Sequence, residues 1–144
     1  MRVKDVMTQG VECVRPTESI ARAARRMREL NVGSLPVCGD HNKLVGMITD
    51  RDITVRATAN ACEPTSTCVC DAMTPDVCFC FDDDEDAGAA HLMEEHQIRR
   101  LVVLDRNKRL VGIVSLGDLA VKGSEEWISA EALERVSEPA MPAR

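Results

Sequence analysis

The stretch Leu44-Val45-Gly46-Met47-Ile48-Thr49-Asp50-Arg51-Asp52-Ile53 occurs a second time, altered, as Leu110-Val111-Gly112-Ile113-Val114-Ser115-Leu116-Gly117-Asp118-Leu119. Each version reads as an apolar strand with one glycine inside it. A hydroxyl residue, two variable positions and an aspartate follow, and these open a helix. The offset is 110 − 44 = 66 residues. It persists outward without a gap. Leu35 and Val37 match Leu101 and Val103, and Ala23, Ala24, Met27 and Glu29 match Ala89, Ala90, Met93 and Glu95. Val3, Asp5, Met7 and Thr8 match Val69, Asp71, Met73 and Thr74, Val11 matches Val77, and Val55 matches Val121. A register held over so long a stretch is a duplication.

Both copies parse alike. A leading segment (3–7, 69–73) runs into a short extended stretch (11–15, 77–81). A helix follows: Thr17 is the expected N-cap in the first copy, and the acidic run from Asp82 to Asp86 is expected to open it in the second. Ile20, Ala23, Ala24, Met27 and Leu30 fall at spacings of three and four, one apolar stripe. Two apolar strands come next (34–38 and 44–49; 100–104 and 110–115), joined by polar loops, and a short helix ends each copy (50–57, 116–122). The domain organisation expected is a first repeat over 1–58, a linker over 59–68, a second repeat over 69–123 and a helical tail over 124–144 around Trp127. The class is α/β (α+β), two βαββα units. One unit has too few elements to cover both faces of its sheet, so the copies are expected to pack about a pseudo-two-fold axis.

Composition narrows the function. Net charge is −6 and the only aromatics are Phe79, Phe81 and Trp127. An acidic chain without stacking platforms is a poor ligand for nucleic acid. No apolar run is long enough to cross a bilayer, and the first residues lack the apolar core of a signal peptide, so a cytoplasmic protein with no membrane partner is expected.

The Thr/Ser-x-x-Asp element carries the chemistry. At a strand-to-helix junction the first-turn N–H groups lack partners and attract anions. The Thr49 hydroxyl can cap those groups or bind a phosphate, Asp52 can accept from ribose hydroxyls, and Arg51 can add a charge-assisted phosphate contact. The same spacing is equally a capping box with no ligand at all.

Taken together, these motifs resemble the CBS domain family. Leu44–Ile53 and its second version look like the closing signature of a CBS repeat. His96-Gln97-Ile98-Arg99-Arg100-Leu101-Val102-Val103 and Asn31-Val32-Gly33-Ser34-Leu35-Pro36-Val37 resemble its second-strand approach, and Met7-Thr8 and Met73-Thr74 its opening. The match spans about residues 2–123 and is most similar to small bacterial stand-alone pairs. The resemblance implies a non-enzymatic regulatory module that binds an adenine nucleotide or related adenosyl ligand (AMP, ADP, ATP or NAD-like) in a cleft between the copies. No other cofactor is required. One cleft would use Thr49, Arg51 and Asp52, with Thr8 and Val11 near its base and Arg99 or Arg100 reaching from the other copy. The other would use Ser115, Asp118, Thr74 and Val77. Gly117 stands where the first copy has Arg51, and Gly33-Ser34 stand where the second has Arg99-Arg100, so the charges are expected to concentrate on the first cleft and the second is expected to be the weaker. A homodimer and an unidentified protein effector are the implied partners.

Seven cysteines leave an odd one unpaired. Cys13 and Cys38 fall on strands expected to be neighbours, a possible redox pair, although Phe79 and Leu104 at the matching positions suit a plain core role. Cys68-x-Cys70 and Cys78-x-Cys80 hold four thiols, but zinc pairs usually have two intervening residues and no metal is expected. A second reading of the whole chain follows: a redox- or stress-responsive interaction protein that works through its cysteines without nucleotide. No nucleophile–base pair or His/carboxylate cluster points to an enzyme.

Overall fold

The structure, a computed structural model, describes residues 1–123. The expected tail helix around Trp127 lies outside the described residues. In chain order the elements are α1 (Val3–Val6), β1 (Thr8–Gln9), α2 (Ile20–Leu30), β2 (Ser34–Cys38), β3 (Leu44–Thr49) and α3 (Asp50–Asp52), which runs on as a wider π-helical turn over Ile53–Ala57. Then come α4 (Val69–Ala72), β4 (Phe79–Phe81), α5 (Asp86–His96), β5 (Arg100–Leu104), β6 (Leu110–Ser115) and α6 (Leu116–Lys122). No helix among the described residues is long and apolar enough to cross a membrane.

The chain forms two compact units, and neither coincides with one copy of the repeat. Among the described residues, the Asp118 unit joins Met1–Val11 to Cys78–Asn107 and to 111–123. The Asp52 unit joins Glu12–Val77 to Lys108–Leu110. Each unit therefore takes its leading helix from the opposite copy.

In the Asp118 unit the sheet order is β1-β6-β5-β4. β1 runs antiparallel to β6 with Thr8 opposite Ile113, and β4 runs parallel to β5 with Cys80 opposite Val103. In the Asp52 unit β2 and β3 form an antiparallel hairpin. Single bridges flank it, Thr74 to Met47 and Val14 to Val37. These are the same pairings displaced by 66 residues, since 74 − 8 and 113 − 47 give that offset. The extended stretch expected over 77–81 shortens to Phe79–Phe81, and that over 11–15 to the bridge at Val14.

Each unit has its own core. Val3 and Val6 from α1 are fully buried with Ala89, Met93, Leu101 and Val114. Val69 and Ala72 from α4 are buried with Ile20, Ala23, Val37 and Ile48. The α2 stripe is narrower than its spacing suggests: Ile20, Ala23 and Met27 are buried, while Ala24 and Leu30 face outward.

Both long helices start later than expected. Ser19, not Thr17, caps α2, and its hydroxyl accepts from the Arg22 N–H at 3.2 Å. The next two donors, Ile20 and Ala21, reach the Thr67 and Pro64 carbonyls. A helix can start only where its orphan N–H groups find acceptors, and here two of those acceptors come from the linker. The second helix begins at Asp86, with Glu85 as its cap residue. Asp82 and Asp84 instead lend their carbonyls to the N–H groups of Lys4 and Val3, so the front of the acidic run receives α1 and only its end, Glu85 and Asp86, opens α5. Asp86 is buried, with one oxygen 3.8 Å from the Met1 ammonium.

Candidate ligand site at the strand-to-helix junctions

β3 ends at Thr49 in extended backbone and α3 starts at once. The Asp52 N–H donates to Thr49 Oγ1 at 2.9 Å, and Asp52 Oδ2 accepts from the Thr49 N–H at 3.0 Å. The β6–α6 junction repeats this: Asp118 N–H to Ser115 Oγ at 3.0 Å, and Ser115 N–H to Asp118 Oδ2 at 2.9 Å. Both capping boxes are therefore formed. They stabilise the turns, each to about 1 kcal/mol, and they occupy one carboxylate oxygen each. The second oxygen, Oδ1, is left outside the box.

At Asp52 that second oxygen has two loose neighbours. Thr74 Oγ1 lies 3.4 Å from both carboxylate oxygens, long for an O–H···O bond. Arg56 Nε is 3.8 Å from Oδ1, and the same guanidinium donates to the Met73 carbonyl at 3.0 Å. The carboxylate is only 12% exposed, held at the floor of the junction. Gly46 makes the arrangement possible. A Cβ there would lie 2.8 Å from the Thr74 carbonyl oxygen, closer than real Cβ contacts come. The bare glycine lets the segment after α4 press onto β3 and bring Thr74 to Asp52. Gly112 does the same for Thr8, whose oxygen would lie 2.7 Å from an added Cβ.

The expected grouping of site residues is thus corrected. Thr8 pairs with Ile113 beside Ser115 and Asp118, not with the Asp52 junction, and Val11 belongs to the same unit. Thr74 and Val77 belong with Thr49, Arg51 and Asp52. The reason is the exchange of leading segments, each of which hydrogen-bonds the closing strand of the opposite copy. Arg99 and Arg100 are also regrouped: the Arg99 carbonyl accepts from the Leu116 N–H at 2.8 Å, at the head of α6. The Gly33 carbonyl does the same for Asp50, and a Cβ on Gly33 would lie 3.1 Å from that acid. Basic residues are therefore divided, Arg51 between Asp50 and Asp52 in one unit, Arg99 and Arg100 with Asp118 in the other.

The cysteines separate into three settings. Val14 N–H donates to the Pro36 carbonyl and Cys38 N–H to the Val14 carbonyl, so the chain segments bearing Cys13 and Cys38 are hydrogen-bonded neighbours. The buried Cys38 thiol is pushed up to about 12, by desolvation first and then by the Cys13 thiol beside it, with Arg15 opposing. Cys13 is half-buried, its sulfur 3.4 Å from Asn42 Oδ1. Cys80 is packed in the Asp118 core and is likewise raised to about 12, mainly by desolvation. Cys68 and Cys70 lie at the start of α4, and Cys70 is raised by desolvation, then by the Asp71 carboxylate and Cys68. All seven are free thiols. Cys78 and Cys80 join no metal-sized cluster among the described residues, so the four thiols do not form one donor set. The acidic run forms no such cluster either. Its Asp83 is held below the usual carboxylate range by the Arg106 guanidinium, 2.7 Å away.

Comparison with known proteins fits this geometry. The CBS domain family model matches residues 3–57 and 69–124. Hypoxic response protein 1 of Mycobacterium tuberculosis is 38% identical over 117 residues, 81% of each chain. CBS domain-containing protein YhcV of Bacillus subtilis is 42% identical over 135 residues, 94% of each. Among solved structures, Hypoxic Response Protein I with two coordinated zinc ions superposes with a TM-score of 0.76 at 36% identity, covering 85% of this chain and 98% of that one. CBSX2 in complex with AMP superposes at 0.70 and 29% identity, covering 92% and 96%. The doubled strand–glycine–strand–Thr/Ser-x-x-Asp unit and these matches make the chain a member of the CBS domain family, a tandem pair of CBS domains of α+β fold.

Proposed function

We propose that this chain is a non-enzymatic regulatory module of the cytoplasm that binds an adenine nucleotide or related adenosyl ligand at its strand-to-helix junctions. The observation that carries the reading is the second carboxylate oxygen of Asp52, outside the capping box. It lies at the floor of a junction that also offers a threonine hydroxyl. An anionic acceptor of this kind suits the paired hydroxyls of a ribose, and the hydroxyl and first-turn N–H groups suit a phosphate. AMP bound to CBSX2 supports the ligand class. In this reading Thr49, Arg51, Asp52, Thr74 and Val77 serve one unit, and Ser115, Asp118, Thr8, Val11, Arg99 and Arg100 the other. Charge makes the two unequal. Arg51 has Asp50 and Asp52 beside it in one unit, whereas the other unit carries two arginines, Arg99 and Arg100, so the Asp118 unit is proposed as the better phosphate site. The module acts as a homodimer and passes the ligand signal to a protein effector.

The test is calorimetric titration of the full chain with AMP, ADP, ATP, NAD and S-adenosylmethionine. At least one ligand binds and raises the melting temperature, as any ligand selective for the folded state must. Asp52→Asn and Asp118→Asn keep an oxygen for the cap but lose the charge. Each weakens binding at its own site by about tenfold, the difference between a charge-assisted and a neutral hydrogen bond. No heat or thermal shift with any of the five sinks the proposal.

The hydrogen-bonded segments bearing Cys13 and Cys38 favour a second, compatible reading, a redox response. A peroxide would join the two sulfurs and leave as two waters. Mass spectrometry of the peroxide-treated chain distinguishes this from inert core thiols: a loss of two hydrogens localised to the Cys13 and Cys38 peptides is expected.

A further inference from the structure

The N-terminal end of α4 carries a cluster that the nucleotide reading does not use. The sulfurs of Cys68 and Cys70 and a carboxylate oxygen of Asp71 all lie within 4.8 Å of one another. Cys70 Sγ is 4.0 Å from Asp71 Oδ1. Cys68 is the cap residue of α4, yet its side chain makes no capping hydrogen bond. Cys70 and Asp71 are exposed and Cys68 is half-buried, so the cluster opens to solvent.

The duplication provides an internal control. The residues matching Cys68, Cys70 and Asp71 are Arg2, Lys4 and Asp5. Around α1 the fold needs the aspartate, which accepts from the Arg2 N–H at 3.0 Å. It needs no thiol there. The same local backbone is therefore built without cysteines in one copy, and two cysteines have been placed at equivalent positions in the other. Packing does not explain them, because Cys70 is exposed and the buried residues of α4 are Val69 and Ala72. Among the described residues Asp71 is in no ion pair, which leaves its charge available.

We propose that Cys68, Cys70 and Asp71 form a zinc site with one open coordination position. Two thiolates and one carboxylate are a donor set of mixed softness that suits Zn²⁺. With Zn–S and Zn–O bonds of about 2.3 Å and 2.1 Å, tetrahedral donors sit about 3.5–3.8 Å apart. The three groups need to close by roughly an ångström, which exposed side chains achieve by rotation. Binding expels the two thiol protons to the buffer, and the fourth position takes water or an external ligand. The ion would bracket α4, three residues before Thr74.

The experiment uses the full chain, reduced and metal-free. Co²⁺ is titrated in first as a spectroscopic probe, then Zn²⁺ in competition with a chromophoric chelator. One equivalent binds, with a thiolate-to-cobalt charge-transfer band. Cys68→Ser and Cys70→Ser each lower zinc affinity by roughly 100-fold, and Asp71→Asn by about tenfold, beyond or at the scale of outer-shell losses. Cys13→Ser and Cys38→Ser leave it unchanged. As a second readout independent of variant folding, zinc slows alkylation of Cys68 and Cys70 in the unmutated chain by about tenfold or more. No charge-transfer band, a band that survives Cys68→Ser with Cys70→Ser, an affinity indifferent to Asp71→Asn, or unprotected thiols would overturn the proposal. None of these readouts depends on a nucleotide, so failure here and failure of the nucleotide reading are distinguishable.

Discussion

Cys38 and Cys80 show how one residue type serves opposite roles in a small chain. Both are buried and both hold their proton up to about 12, because a thiolate in an apolar core loses its solvation. Cys70 is raised as well, by desolvation and then by Asp71 and Cys68, but it is exposed on the short α4 and open to a reagent without any opening of the fold. Alkylation of the native, metal-free chain near neutral pH is therefore expected to modify Cys70 first. Cys38 and Cys80 should react only as fast as the protein opens. Peptide mapping over time gives the order, and a Cys38 modified as quickly as Cys70 would contradict the burial argument. The same shift sets a sign for stability. A folded-state pKa above the unfolded value near 9 means that folding favours the protonated thiol. That contribution is complete below about pH 9 and is lost as pH rises through about 12. Denaturant midpoints should fall over that alkaline window, and less steeply in Cys38→Val and Cys80→Val.

At the scale of elements, two glycines govern how the leading segments meet the closing strands. A Cβ on Gly46 would meet the Thr74 carbonyl oxygen at 2.8 Å and Met73 Sδ at 3.0 Å; on Gly112 it would meet Thr8 O at 2.7 Å and Met7 Sδ at 2.8 Å. A methionine can swing away, but a backbone oxygen moves only with its strand. Gly46→Ala and Gly112→Ala are each expected to cost about 1–3 kcal/mol in urea unfolding. Gly88→Ala is the control. Nothing lies within 4 Å of its added Cβ, and it sits in α5, so it should stabilise by about 0.5–1 kcal/mol. Equal, near-zero effects at all three would remove the glycines from the account of the site. Both glycines, the strands and the capping boxes were legible in the sequence because each is a local pattern repeated at one offset. The helix starts were not, since Ser19 and Asp86 are selected by carbonyls and an ammonium far away in the chain. The site grouping failed for a related reason. Periodicity says that Thr8 and Thr74 each approach a closing strand, but it does not say whose.

On the scale of the whole molecule, the exchange of leading segments makes the two copies interdependent for folding. Val3 and Val6, from the first copy, are fully buried in the core built around the second, and Val69 and Ala72 are buried in the core built around the first. Burying one valine contributes about 1.5–2 kcal/mol, so losing the α1 pair removes about 3–4 kcal/mol from a unit whose total is of order 5–15 kcal/mol. A chain cut into residues 1–66 and 67–144 should therefore give fragments that melt early and broadly, or self-associate to borrow a leading helix from a second copy. Mixed in equal amounts, each fragment supplies the helix and the short paired segment that the other lacks. Cooperative unfolding and a single 1:1 species on gel filtration should then return. The mixture still pays one extra bimolecular association, so its melting temperature should rise with concentration. A lone fragment that melted as cooperatively as the intact chain would show that α1 can serve its own copy as well as the other. The exchange would then be a preference of the tandem arrangement and not a condition of folding.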